Sequence, residues 1–223
     1  MTHTNTLNEP RVAAILRRLF AEAEQDDSVH ERTEMERLTA SVGEPTTDQE
    51  RADAWAHLYM PISAEAGRLL YSLVRAVRPA IVVEFGMSFG ISTLHLAAAV
   101  RDNGAGRVVT TEMSASKVAA ARATFAEAGL DDVITVLEGD ALETLPTQLG
   151  EGVGLVLLDG WKQLYLPVLQ LLEPHLAPGT LVIGDDADMD SVKPYLEYVR
   201  DPANGYESTL FPVEDGMEIS CRV

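Results

Sequence analysis

Cysteine is nearly absent from this chain: Cys221 is the only one in 223 residues. A lone thiol excludes an intramolecular disulfide, so the fold must rest on its hydrophobic core, and a reducing, cytoplasmic compartment is expected. Basic residues are scarce as well, 17 against 35 acids, for a net charge of −18. Such a field repels phosphate backbones and anionic lipid headgroups, so neither a nucleic-acid nor a membrane partner is expected. No apolar run approaches the roughly 20 residues of a membrane-spanning helix. Met1–Pro10 is polar, without the basic and apolar regions of a secretory signal, and no leader is expected. Internal repeats, low-complexity tracts and His/Cys clusters suited to zinc are missing too. What is present is an ordinary globular composition, 46% hydrophobic and 23% charged, long enough to bury a core of its own.

The chain divides into two regimes. Residues 1–62 are charged and helical in pattern: Val12, Ile15, Leu16 and Leu19 share one face of a helix over Arg11–Gln25. A loop is expected at Ser41–Thr46, around Gly43 and Pro45, and a second helix start at Thr47, with Glu50 at the capping-box spacing. Helices this short need something to dock on. This segment is read either as packing against the remainder, or as a lid or dimer contact.

Residues 63–223 alternate short apolar runs with amphipathic stretches, the pattern of a doubly wound α/β fold. Strands are predicted at Ile81–Phe85, Arg107–Thr111, Val133–Leu137, Gly154–Leu158 and Thr180–Gly184. Helices are predicted from Ser63 to Pro79 and over Ser92–Arg101, Ala115–Ala128 and Tyr165–Leu176. Glu207–Val213 and Met217–Val223 flank Glu214-Asp215-Gly216 and read as an antiparallel hairpin. The expectation is a mostly parallel, seven-stranded sheet with an antiparallel C-terminal hairpin and N-terminal helices.

The first predicted strand runs into Glu84-Phe85-Gly86-Met87-Ser88-Phe89-Gly90, and a helix follows near Ser92. This is not the dinucleotide fingerprint, because an acid precedes the glycines and would repel a pyrophosphate. It suits a cationic ligand, one carrying a sulfonium and an ammonium. Glu112 closes the second strand, where a carboxylate can accept both hydroxyls of a ribose, and Asp140 closes the third, where it can accept from an adenine amino group.

With these features, Met60-Pro61-Ile62-Ser63 through Val82-Val83-Glu84-Phe85-Gly86 resembles the class I S-adenosylmethionine-dependent methyltransferases, more narrowly the catechol and caffeoyl-CoA O-methyltransferases. The resemblance covers roughly Met60 to Val223 and implies a Rossmann-like fold. It assigns the cosubstrate, S-adenosylmethionine, to Met60, Ile62, Glu84, Gly86, Ser88, Ser92, Glu112, Met113, Asp140, Ala141, Asp159 and Trp161. At Ser88 and Ile91 the chain departs from the aromatic residues common in the family.

The segment Leu157-Leu158-Asp159-Gly160-Trp161-Lys162-Gln163-Leu164-Tyr165-Leu166-Pro167 is similar to the family's stretch holding a metal-binding Asp and a catalytic Lys. Asp159 closes the fourth strand, and Asp185-Asp186 close the fifth, where the family usually has Asp-Asn. Carboxylates at adjacent strand ends, about 4.8 Å apart, can share one cation. Oxygen ligands select Mg²⁺, Mn²⁺ or Ca²⁺. The implied reaction is methyl transfer to a hydroxyl of a small catechol-like or other hydroxylated aromatic substrate, with Lys162 accepting the proton once a nearby cation has lowered its pKa. Glu218 aligns with a substrate-contacting acid, and a homodimer is the expected assembly. Two other readings stay open: a metal-independent methyltransferase on another nucleophile, and a cosubstrate-binding regulator without catalysis.

Overall fold

Seven strands, β1 (Ile81–Phe85), β2 (Arg107–Glu112), β3 (Ile134–Glu138), β4 (Val153–Leu158), β5 (Leu176–Gly184), β6 (Tyr206–Phe211) and β7 (Met217–Arg222), form one sheet. Their order is β3-β2-β1-β4-β5-β7-β6. The first five are mutually parallel, while β7 runs antiparallel to both β5 and β6. The computed structural model describes residues 5–25 and 47–223, and the loop expected at Ser41–Thr46 lies outside them. The helices are α1 (Pro10–Gln25), α2 (Asp48–Ala54), α3 (Ala64–Val77), α4 (Ile91–Asn103), α5 (Ala115–Ala128), α6 (Ala141–Thr144), α7 (Tyr165–Leu172) and α8 (Lys193–Arg200).

Alternation along the strands builds two cores. Val82, Val108, Leu155, Leu157 and Ile183 face a layer of α1, α3, α4 and α5. Val83, Val109, Val156, Leu158 and Val182 face α6, α7 and α8. A strand covered on both faces reads as a continuous apolar run, and β1 is buried at every position. Helix α4 is buried from Ile91 to Val100, because α3 covers the side the sheet does not.

The caps follow local chemistry. Thr47 and Glu50 close a reciprocal capping box on α2, and Ser63 and Ser114 cap α3 and α5. The stripe of α1 joins the same core as Leu70, Leu94 and Phe125. Arg18 adds a two-pronged pair to Glu127, at 2.9 and 2.7 Å.

Prolines account for the main departures from expectation. Helix α7 ends at Leu172 and tightens into a 3-10 turn at Glu173–His175, because Pro174 has no N–H to continue the ladder. Strand β5 starts at Leu176, four residues early, and its pairing with β4 slips across Pro178-Gly179. Helix α8 has no counterpart in the pattern reading. Pro194 sits in its first turn, where a proline lacks only an N–H that would be unpaired anyway.

Candidate functional site

Sheet order reverses between β1 and β4, and a cavity of about 600 Å³ opens there, beyond the C-terminal ends of the parallel strands. Its floor is the loop after β1. Gly86 has φ +96°, and a Cβ there would lie 2.6 Å from the backbone of Asp159. The close approach that demands glycine is thus made by the loop after β4, and it brings Asp159 beside the first loop. Ser88 is also left-handed, with φ 48°, which turns its N–H toward Glu112 Oε2 at 2.8 Å.

Glu112 takes two further backbone N–H groups on Oε1, from Met113 at 2.9 Å and Ser114 at 2.8 Å. Its carboxylate is therefore positioned by main chain. Asp140 accepts the Leu142 N–H at 2.8 Å and caps α6, which places Ala141 on the cavity wall. Met60, Ile62, Ser92 and Met113 line the same space. The Ser88 hydroxyl is buried there without a partner among the described residues, as a surface shaped for a polar ligand would leave it.

At the opposite end, Asp159, Asp185 and Asp186 each offer an oxygen, all within 4.8 Å of one another. Asp186 has φ 54°, a conformation that asparagine and aspartate tolerate better than most residues. Lys162 Nζ stands among them, 2.6 Å from Asp186 Oδ2, 3.3 Å from Asp159 Oδ1 and 2.8 Å from the Tyr165 hydroxyl. Burial pushes Asp159 well above the usual carboxylate range; Lys162 opposes this, and the neighbouring Asp185 and Asp186 add to it. Burial and then Asp186 raise Asp185 to about 7. Such a set, all oxygen and short of positive charge, fits a hard divalent cation.

The protonation of Lys162 is set by its neighbours. Burial alone would lower it, but Tyr165, Asp159 and Asp186 outweigh burial and hold the ammonium well above the usual lysine range. With carboxylates as its neighbours the amine stays protonated, and the lowered value expected beside a cation belongs to the cation-loaded site.

Two expected residues do not reach the cavity. Glu84 is wholly buried inside the sheet, where its Oε2 accepts from the hydroxyls of Thr93 at 2.5 Å and of Thr110. Burial raises its pKa, and the hydroxyls of Ser92, Thr110 and Thr93 oppose the rise. The acid precedes the last residue of β1, and its side chain turns into the helix layer, not toward the strand end. Glu218 is buried too, on β7, in a paired fork with Arg200 at 2.8 and 2.6 Å and a bond from Ser208 at 2.6 Å.

Other cavity residues had no distinctive motif. The chain's two tryptophans meet edge to face, Trp55 against Trp161 with centroids 5.1 Å apart, and Arg51 lies 5.3 Å over the Trp161 ring. Tyr59 stacks on Phe89 at 4.1 Å. The signal available was two aromatics four residues apart, just before Met60. Glu214 and Asp215, read only as a hairpin turn, line the acidic end.

A family model described as "Methyltransferase domain" matches residues 83–187. Catechol O-methyltransferase B of Danio rerio is 33% identical over 180 residues, 74% of this chain and 66% of that protein. Catechol O-methyltransferase of Mus musculus is 28% identical, over 80% of this chain and 72% of that protein. Among solved structures, an O-methyltransferase from Bacillus cereus in complex with SAH shares the fold, with a TM-score of 0.67 at 23% identity, over 84% of this chain and 96% of that one. The strand-end cavity, the matched domain and these relatives together place the chain in the family of class I, Rossmann-like, S-adenosylmethionine-dependent O-methyltransferases.

Proposed function

We propose that this chain transfers a methyl group from S-adenosylmethionine to one hydroxyl of a small catechol-like acceptor, and that the reaction needs a divalent cation such as Mg²⁺. The observation that carries this reading is one cavity joining Glu112, a strand-end carboxylate suited to ribose hydroxyls, to three clustered carboxylates with a lysine among them. The relatives named catechol O-methyltransferases support the acceptor class.

Asp159, Asp185 and Asp186 would hold the cation, whose chemistry when bound is to acidify a hydroxyl that touches it. The cosubstrate, when bound, supplies an electrophilic methyl group. The protein's own part is positioning and proton transfer. Glu112 accepts from the ribose hydroxyls, and Ser88 Oγ offers a further polar contact. Met60 and Ile62 wall the methionine end. The Trp55–Trp161 and Tyr59–Phe89 pairs exclude water, which strengthens each charge interaction inside. Lys162 Nζ takes the proton of the acceptor hydroxyl. Tyr165, Asp159 and Asp186 hold it protonated, so it would first release that proton to solvent, a loss favoured if the two carboxylates shared their charge with a bound cation. Proton acceptance is thereby coupled to metal loading.

The test is turnover of catechol with S-adenosylmethionine, followed as methylated product. Activity should vanish in excess EDTA and return with Mg²⁺ or Mn²⁺. Full turnover in EDTA would remove the cation from this reading, and a failure to methylate any vicinal diol would remove the acceptor class.

A further inference from the structure

The acidic end of the cavity carries more negative charge than a metal triad needs. Glu214 and Asp215, on the turn between β6 and β7, line it together with Asp159, Asp185 and Asp186. Five carboxylates against one ammonium, Lys162, and one divalent cation leave two negative charges over. Among the described residues, the remaining cations on the wall are engaged elsewhere. Arg51 pairs with Asp48 at 2.9 Å and lies over Trp161, and Lys117 lies over the Phe89 ring.

Glu214 is fixed at this rim. Its Oε2 accepts the Ser63 N–H at 2.7 Å, which ties the turn to the start of α3, just beyond Met60 and Ile62. The Ala187 N–H donates to the Gly216 carbonyl at 2.9 Å and the Asp188 N–H to the Asp215 carbonyl at 3.2 Å, which ties the same turn to the loop after Asp186. Glu214 itself has φ 53°, a left-handed conformation that persists in a non-glycine residue only where the surroundings hold it. A carboxylate so held stands between the methionine wall and the metal-binding loop, where the part of an acceptor not engaged in chemistry must extend.

We propose that Glu214 makes this site choose its acceptor by charge, disfavouring catechol-like diols that carry a carboxylate relative to neutral or ammonium-bearing diols of the same shape. The proposal rests on the acceptor reading given above. A like charge at a solvent-open rim is worth about threefold to tenfold in kcat/KM, and added salt weakens it.

The experiment compares kcat/KM for 4-methylcatechol, 3,4-dihydroxybenzoate and 3,4-dihydroxybenzylamine, with Mg²⁺ at low ionic strength, in the wild type and in Glu214→Gln. Glutamine keeps an oxygen for the Ser63 N–H and removes only the charge. Comparing the benzoate-to-methylcatechol ratio between the two proteins cancels the intrinsic reactivity of each diol. That ratio should rise about threefold to tenfold in the variant, and the preference for the amine should shrink. Raising salt should move the wild-type ratio in the same direction, an arm that does not depend on the variant folding. Methylation of all three diols with a ratio insensitive to both salt and substitution would overturn the proposal alone. If the wild type fails to methylate 4-methylcatechol, the acceptor reading falls and this proposal falls with it.

Discussion

The two ends of the cavity are held together by opposite means. At the cosubstrate end each acid is answered by main chain: Glu112 accepts three N–H groups and Asp140 caps a helix. At the acceptor end carboxylates face carboxylates, and one lysine is shared between two of them. Backbone donors fixed by a turn are in place before any ligand arrives. Like charges crowded out of water are held only at a cost to folding, which a counterion relieves. One end is preorganised, and the other is where the proposed cation would relieve the repulsion.

The largest expected effect separates the two ends. Lys162→Ala should lower kcat by about 10²–10⁴-fold while leaving S-adenosylmethionine affinity nearly unchanged, because the amine belongs to the acceptor end. Lys162→Arg should fail almost as badly, since a guanidinium keeps its proton. Steady-state rates beside calorimetric titration read both quantities. Retained turnover would leave Lys162 without a role in proton transfer, and a matched loss of cosubstrate affinity would erase the division between the ends.

The next prediction concerns pH. Asp185 titrates near 7 in the folded protein, above its value in an unfolded chain of about 3.9, so the folded state binds this proton more tightly. The resulting stability is full below the unfolded value and is lost as pH rises through 7. Metal-free protein should therefore melt at a lower temperature at pH 8 than at pH 6. Mg²⁺ should flatten that slope by stabilising the ionised carboxylates, and Asp185→Asn should flatten it without metal. Calorimetry showing the same slope in Asp185→Asn would assign the pH dependence to the general repulsion of an acidic chain.

The smallest effect belongs to the preorganised end. Glu112→Ala should weaken S-adenosylmethionine binding by about 1–3 kcal/mol, the scale of charge-assisted hydrogen bonds to hydroxyls. It should leave the pH slope of melting intact. An unchanged dissociation constant would move the ribose contact away from Glu112.

Legibility in the sequence followed the range of the interactions. Strand β1 and helix α5 were readable to the residue, because a doubly buried strand and a helix bracketed by a serine cap and a closing glycine advertise themselves locally. The triad was readable because Asp159 and Asp185-Asp186 each close a strand, and adjacent parallel strands end side by side. Glu84 was misplaced for the converse reason. Strand-end position gave its neighbourhood, but the pleat aimed its side chain at Thr93 and Thr110. Glu218 had the right motif, and only the fold brought Arg200 and Ser208 to claim it.

The sequence by itself determined the seven-stranded α/β plan, the loop after β1 and the acids that close the strands, because periodicity and capping act over a few residues. Tertiary structure alone decided three things: that Asp186 reaches Lys162, that Trp55 and Tyr59 roof the cavity, and that Glu214 is pinned to Ser63 at its rim. The latter two join residues as far as 151 positions apart, and all three set a local charge or dielectric. Those quantities depend on which groups converge in space, which no spacing along the chain specifies.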